Sequence, residues 1–210
     1  NNLIPSVSVQ RKLKNMASLN LGYTQRIERP SIWQLNPFVE RSDPRFSYSG
    51  NPDLKSVLNH SFELRYSKFK KGSINLGLSY NFANNTIQHV VELVDNVSRT
   101  TYQNIGKNRN IGFNGSINYT FMSKLNMNLN TRLGYTWIEG IVNNSLYKNE
   151  GMQGHSYIYG NYRFEKGWRA GINAGYSSPW IRLQGQSNAY LYSSASLSKE
   201  FLNKKATFSM

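Results

Sequence analysis

The chain has 210 residues, and its 25 Lys and Arg against 11 Asp and Glu give a net charge of +14. No stretch approaches the roughly 18 consecutive apolar residues of a membrane helix, so a helical membrane protein is excluded, whereas membrane β-structure, which hides its apolar face by alternation, is not. With no cysteine, disulfides, thiolate metal sites and cysteine nucleophiles are ruled out as well.

Few charges, 14 Tyr and 16 Gly disfavour long helices and suit strands joined by turns. A period of two is clean in three windows. In Ser73–Phe82, Ile74, Leu76, Leu78, Tyr80 and Phe82 alternate with Ser73, Asn75, Gly77, Ser79 and Asn81. In Asn110–Phe121, Ile111, Phe113, Ile117, Tyr119 and Phe121 oppose a face of Asn, Gly, Ser and Thr. In Leu125–Trp137, Leu125, Met127, Leu129, Leu133, Tyr135 and Trp137 do the same.

In chain order the pattern predicts about ten strands: Ile4–Leu13, Met16–Glu28, Asn59–Phe69, Ser73–Ala83, Asn108–Met122, Leu125–Ile138, His155–Phe164, Trp168–Ser177, Ala189–Phe201 and Ala206–Met210. Short basic turns are expected at Lys14-Asn15, Lys70-Lys71-Gly72, Ser123-Lys124, Lys166-Gly167 and Asn203-Lys204-Lys205. Long polar connections are expected at Arg29–Leu58, Asn84–Lys107, Glu139–Gly154 and Ser178–Asn188, with pairing of Gln88–Leu93 and Arg99–Tyr102 inside the second. Short and long connections alternate, so up-and-down strands put all tight turns at one rim and all long loops at the other. The fold class that follows is all-β: an antiparallel meander forming part of an outer-membrane β-barrel, with strands long enough to cross a bilayer when tilted. The competing reading is a soluble β-barrel or sandwich serving as a module for carbohydrate or surface-ligand binding. Trp137, Tyr135, Trp168 and Tyr176 read as an interfacial aromatic girdle.

The segment Leu19–Tyr66 resembles the C-terminal barrel region of the TonB-dependent outer-membrane receptor superfamily, in its "outer membrane protein beta-barrel" version. The resemblance rests on Arg26, Arg29, Pro30, Ser31, Gln34, Leu35, Asn36, Pro37 and Phe38, then Gly50, Asn51, Pro52 and Leu54, then Ser61, Glu63 and Leu64. It departs at Ser56-Val57, where the family has Pro-Glu. Pro30 should end its strand. Gly50-Asn51-Pro52-Asp53 should turn, with Gly50 supplying positive φ and Asp53 accepting a local hydrogen bond. The resemblance implies a single barrel segment over residues 1–210, cut from a larger receptor. The plug and remaining strands are expected elsewhere, and TonB would act only through that absent plug. It implies uptake of a nutrient solute, glycans included, across the bacterial outer membrane.

No enzymatic constellation accompanies this. His60, His89 and His155 lack metal-ligand spacing, and there is no nucleophile motif. No catalytic residue, metal or cofactor is expected. The dispersed basic residues argue against nucleic acid and for lipid headgroups, including lipopolysaccharide phosphates, as anionic partners. The candidate solute-binding residues are loop aromatics and cations: Trp33, Arg45, Tyr48, Trp180 and Arg182. Aromatic faces stack on sugars or hydrophobic nutrients, and guanidinium groups pair with anions.

Overall fold

A computed structural model describes residues 4–201 and 206–210. Its spine is an antiparallel meander of ten neighbouring strands. These are β1 (Ser6–Leu13), β2 (Ala17–Glu28), β5 (Val57–Phe69), β6 (Gly72–Val94), β7 (Val97–Phe121), β8 (Leu125–Val142), β9 (Ser145–Arg163), β10 (Trp168–Ser177), β11 (Tyr190–Phe201) and β12 (Ala206–Ser209). The β2–β5 connection holds a four-residue helix α1 (Ile32–Leu35) and two short strands, β3 (Glu40–Asp43) and β4 (Phe46–Tyr48). β4 pairs parallel with the upper end of β7; every pairing along the spine is antiparallel.

The register keeps the two chemistries on separate walls. Leu21, Leu64, Leu78, Phe113 and Leu133 are successive cross-strand partners, as are Asn20, Arg65, Gly77, Asn114, Arg132 and His155. The apolar wall is open: Leu21, Leu78, Ile111 and Ile172 all expose more than half of their surface. Such a wall is stable only against lipid. Aromatic rings collect at both of its ends. Toward one rim His60 stacks on Phe82 at 4.5 Å, Tyr23 packs on Phe62 at 4.8 Å, and Tyr135 on Trp137 at 4.7 Å. Toward the other, Tyr119 meets Phe121 and Tyr162 meets Phe164. The expected girdle residues Tyr135, Trp137, Trp168 and Tyr176 all lie on this wall.

At the short-turn rim, Lys14–Met16, Lys70–Lys71, Met122–Lys124 and a 3-10 turn at Glu165–Gly167 join the strands, as the sequence predicts. The predicted turn Asn203-Lys204-Lys205 lies outside the described residues. At the opposite rim the expected pairing of Gln88–Leu93 with Arg99–Tyr102 is present, but Asn84–Lys107 and Glu139–Gly154 are not long loops. They are continuations of β6–β7 and β8–β9, closed by two-residue turns at Asp95-Asn96 and Asn143-Asn144. All four turn residues have φ between 48° and 62°. That geometry matches the right-handed twist of a hairpin, and Asn and Asp adopt it at least cost after glycine. At this rim, among the described residues, the true excursions are residues 29–56 and 178–189.

Two bulges change which way the tall hairpin faces. Asn85 on β6 and Ile105 on β7 are left without cross-strand partners. An unpaired residue inverts the alternation beyond it. Above the bulges, Val90 therefore points to the polar-wall side, while His89 and Tyr102 point to the outer side. Val90, Ile138, Val142 and Leu183 form the small buried core, with Ile105 and Ile181 packed against it.

Candidate functional site: the barrel mouth

The inner wall is a polar trough of about 880 Å³. Charged side chains punctuate its neutral surface. Arg65 donates to Glu63 at 2.6 Å, and Arg132 Nε donates to Asn114 Oδ1 at 3.0 Å. Asn114 and Arg132 sit on the polar side of the alternation predicted for their strands, whereas the facing of Glu63 and Arg65 comes from the register of β5 against β2 and β6.

The connection after β10 folds inward over the upper end of this trough. Ser178 Oγ accepts from the Gly154 amide at 2.7 Å, and the Ile181 amide donates to Gln153 Oε1 at 3.1 Å. Asn149 Nδ2 donates to the carbonyls of Arg182 and Gly185. Gln184 behaves like one more strand residue: its Oε1 accepts from the Val91 amide and its Nε2 donates to the Val91 carbonyl. Leu183 drives the strap down, buried to 3% exposure against Val90 and Ile138. Trp180 thereby reaches the trough and becomes part of its lining beside Gln153 and His155. Arg182 ends close enough to His89 to act on its charge. Burial first, and Arg182 second, hold the His89 imidazole below its ordinary pKa.

The other excursion covers the outer face of the same hairpin. β2 ends at Glu28, two residues before Pro30, as predicted. Ser31 then caps α1: its Oγ accepts from the Gln34 amide, and Gln34 Oε1 accepts from the Ser31 amide at 2.8 Å. The two halves of the signature clasp each other. The Gly50 amide donates to the Asn36 carbonyl at 2.8 Å, and the Asn51 amide to the Gln34 carbonyl at 2.6 Å. Asn51 Nδ2 reaches the Tyr102 carbonyl on β7 at 2.9 Å, and Asn104 exchanges two hydrogen bonds with the backbone of Lys55.

Two local expectations are corrected here. Gly50 does not have positive φ; a Cβ there would lie 2.6 Å from the carbonyl oxygens of both Gln34 and Asn36, so glycine is required by close approach. The local acceptor is Asn51 Oδ1, which takes the Asp53 amide at 2.9 Å, not the Asp53 carboxylate. The Ser56-Val57 departure is absorbed by the fold: Val57 starts β5 opposite Glu28 and is buried.

The five candidate side chains fall into two groups. Trp33 stands on α1, 74% exposed. Arg45 is held by Asp43 and lies over the Phe46 ring at 5.9 Å. Its hydrogen bonds keep the Asp43 carboxyl below its ordinary range. Tyr48 donates to the Tyr102 hydroxyl at 3.2 Å, and this bond, with desolvation, pushes the Tyr48 phenol up to about 12. These three belong to the outer excursion, whereas Trp180 and Arg182 belong to the inner strap. The first group is anchored on β7 and the second on β6 and β9, and of the five only Trp180 lines the trough. Of the signature residues, Gln34, Asn36, Gly50 and Asn51 make the clasp. Arg26 lies within β2, and Arg29, Pro37 and Pro52 flank it in the connection. Among the described residues no group of three His, Cys, Asp or Glu is placed to hold a metal ion.

An apolar outer wall between aromatic rings, a polar trough within and elaborated strands at one rim define a segment of an outer-membrane β-barrel. The model of the outer membrane protein beta-barrel family matches residues 1–210, and the chain belongs to that family. This places it in the bacterial outer membrane and sets aside the soluble sandwich. No curated protein sequence matches it. Among solved structures, the copper transporter OprC superposes with a TM-score of 0.63 at 14% identity, over 92% of this chain and 31% of that one. The siderophore receptor PirA from Acinetobacter baumannii gives 0.58 at 14%, over 96% and 35%. PirA from Pseudomonas aeruginosa gives 0.53 at 16%, over 100% and 42%. The chain thus spans well under half the length of these structures, and the likeness is one of fold.

Proposed function

We propose that the chain is the barrel segment of a TonB-dependent-type receptor that takes up a nutrient solute across the outer membrane. Plug and remaining strands would lie in other parts of the whole protein, and TonB would act through the plug. The observation that carries this reading is the strap, which hangs Trp180 over a polar trough inside an apolar wall. Trp180 would stack on a flat face of the solute, and Arg182 would pair with an anionic group. Trp33, Arg45 and Tyr48 would make the first contact on the outer excursion. A copper transporter and two siderophore receptors share the fold, which supports metal ions and metal chelates as solutes beside glycans. No catalytic step is part of this function.

The test uses single cysteines, since this segment has none of its own. In intact cells producing the whole receptor, Asn96→Cys should react with a membrane-impermeant maleimide and Lys71→Cys should not. His155→Cys, beside Trp180 in the trough lining, should react through the mouth and be protected by one of three probes: a ferric siderophore, a cupric salt or an oligosaccharide mixture. Labelling of Lys71→Cys with Asn96→Cys silent would reverse the orientation and end the proposal.

A further inference from the structure

The outer excursion and the tall hairpin meet at a pair of phenols whose contact solute uptake does not require. Tyr48 on β4 donates to the Tyr102 hydroxyl on β7 at 3.2 Å, and the two rings lie edge to face at 89°, with centroids 6.1 Å apart. Both side chains are half-buried, so a small solute reaches them and a second protein does not. Tyr157 and Tyr192 also stand close, at 6.5 Å, but they stack without a hydrogen bond between their hydroxyls.

The backbone on both sides of Tyr48 is pinned to the strand that carries Tyr102. β4 runs parallel to β7, with Tyr48 beside Thr100. The Ser98 amide donates to the Arg45 carbonyl at 2.8 Å, the Ser49 amide to the Thr100 carbonyl at 3.1 Å, and Asn51 Nδ2 to the Tyr102 carbonyl at 2.9 Å. Neither ring has to find the other by diffusion, and such fixed proximity accelerates a bimolecular coupling by orders of magnitude. The two residues are 54 apart in sequence. A covalent bond between them would close a long loop, as a disulfide does, and this chain has no cysteine with which to make one.

We propose that Tyr48 and Tyr102 are a site of oxidative coupling, joined by activated hydrogen peroxide into a dityrosine that locks the outer excursion onto the tall hairpin. Each phenol gives up one hydrogen atom, and the unpaired electron of each phenoxyl spreads to the ring carbons beside the C–O bond. A carbon–carbon bond forms between one such Cε of each ring. The hydrogens on those two carbons move to the oxygens and restore both phenols. The O–O bond of the peroxide breaks and takes the two hydrogen atoms lost, giving two waters; a haem or a redox-active metal ion serves as the activating catalyst. The inference stands on the packing of the excursion and is independent of which solute is taken up.

The experiment treats the full-length receptor, in neutral detergent, with hydrogen peroxide and a haem peroxidase, then applies trypsin and mass spectrometry. Trypsin releases residues 46–55 and 100–107 as peptides with one tyrosine each, Tyr48 and Tyr102. The expected product is these two joined, two hydrogens lighter than their sum, and at least about tenfold more abundant than a link between Tyr157 and Tyr192. Receptor unfolded in urea before oxidation keeps both residues and loses their geometry, so its yield should fall by about tenfold or more. In the linked receptor, shown to be folded by heat-modifiability on a gel, hydrogen exchange at the Gly50 and Asn51 amides should slow by at least about tenfold. Absence of the joined peptide, an equal yield from the unfolded receptor, or exchange unchanged by the link would overturn the proposal.

Discussion

Replacing Gly50 with alanine tests the clasp directly. The added Cβ would meet the Gln34 and Asn36 carbonyl oxygens at 2.6 Å and the Asn36 nitrogen at 2.8 Å. All three are backbone atoms, so no side chain can swing aside. Overpacking of this kind costs about 1–3 kcal/mol, and relieving it by separating the two segments gives up hydrogen bonds worth about 1 kcal/mol each. The Gly50–Asn36 and Asn51–Gln34 bonds are the ones at risk. The expected local cost is therefore about 2–4 kcal/mol, and even the lower figure raises the open population about thirtyfold. The barrel wall is not involved, so the receptor should still assemble. The assay is tryptic cleavage at Arg41 or Arg45 in intact cells, under conditions where the cleavage rate follows the open population. Gly160→Ala is the control, because its Cβ would touch only Ile172 Cγ2 at 3.5 Å. Gly50→Ala cleaved no faster than Gly160→Ala, with both barrels folded, would refute the clasp.

The separation of the two walls predicts an asymmetry between adjacent positions. Leu78→Arg, on the lipid side near the middle of the part of β6 below the bulge, should destabilise the receptor by about 2–4 kcal/mol in denaturant unfolding from lipid vesicles. Ser79→Lys, on the trough side, should shift it by less than about 1 kcal/mol, and equal effects would contradict the assignment of faces. His89 makes the tall hairpin pH-sensitive. Its imidazole is held below its ordinary pKa, so the opened hairpin takes up a proton that the folded one resists. The stability of the hairpin is therefore complete above about pH 6.5 and declines as the pH falls below it. Hydrogen exchange of the amides around Val90 and Thr101, corrected for intrinsic rate, should show this decline in the whole receptor, and His89→Phe should remove it. Identical pH dependence in both proteins would exclude His89 as the cause.

How much of this was legible in the sequence depends on what each wall faces. Between the aromatic rings a strand has lipid on one side and a wet trough on the other. The two solvents impose the alternation that marks Ser73–Phe82 and Leu125–Trp137. Above the membrane that constraint ends. Gln88–Leu93 and Arg99–Tyr102 are still legible as a pair, but Ser145–Glu150 is held in its strand mainly by backbone pairing, which leaves little side-chain code. Asn84–Lys107 and Glu139–Gly154 as wholes consequently read as polar connections. Their turn residues were present in the sequence, but Asn143-Asn144 does not stand out in a chain so rich in Asn.

The mouth was hidden for a different reason. Val90 faces the strap only because Asn85 and Ile105 each invert the alternation; Asn85 suits its positive φ of 54° but does not stand out among so many Asn, and Ile105 has no signature in its residue type. Gln184 meets Val91 across 93 residues of sequence. Trp180 could be identified as a loop aromatic, but its place over the trough depends on Leu183 finding Val90, Ile138 and Val142. Those three apolar residues come from two hairpins and look like interruptions in polar sequence. Their burial under the strap explains why the strands continue so far beyond the membrane. The extension is the anvil against which the strap is folded, and without it Trp180 would have no fixed position relative to the trough.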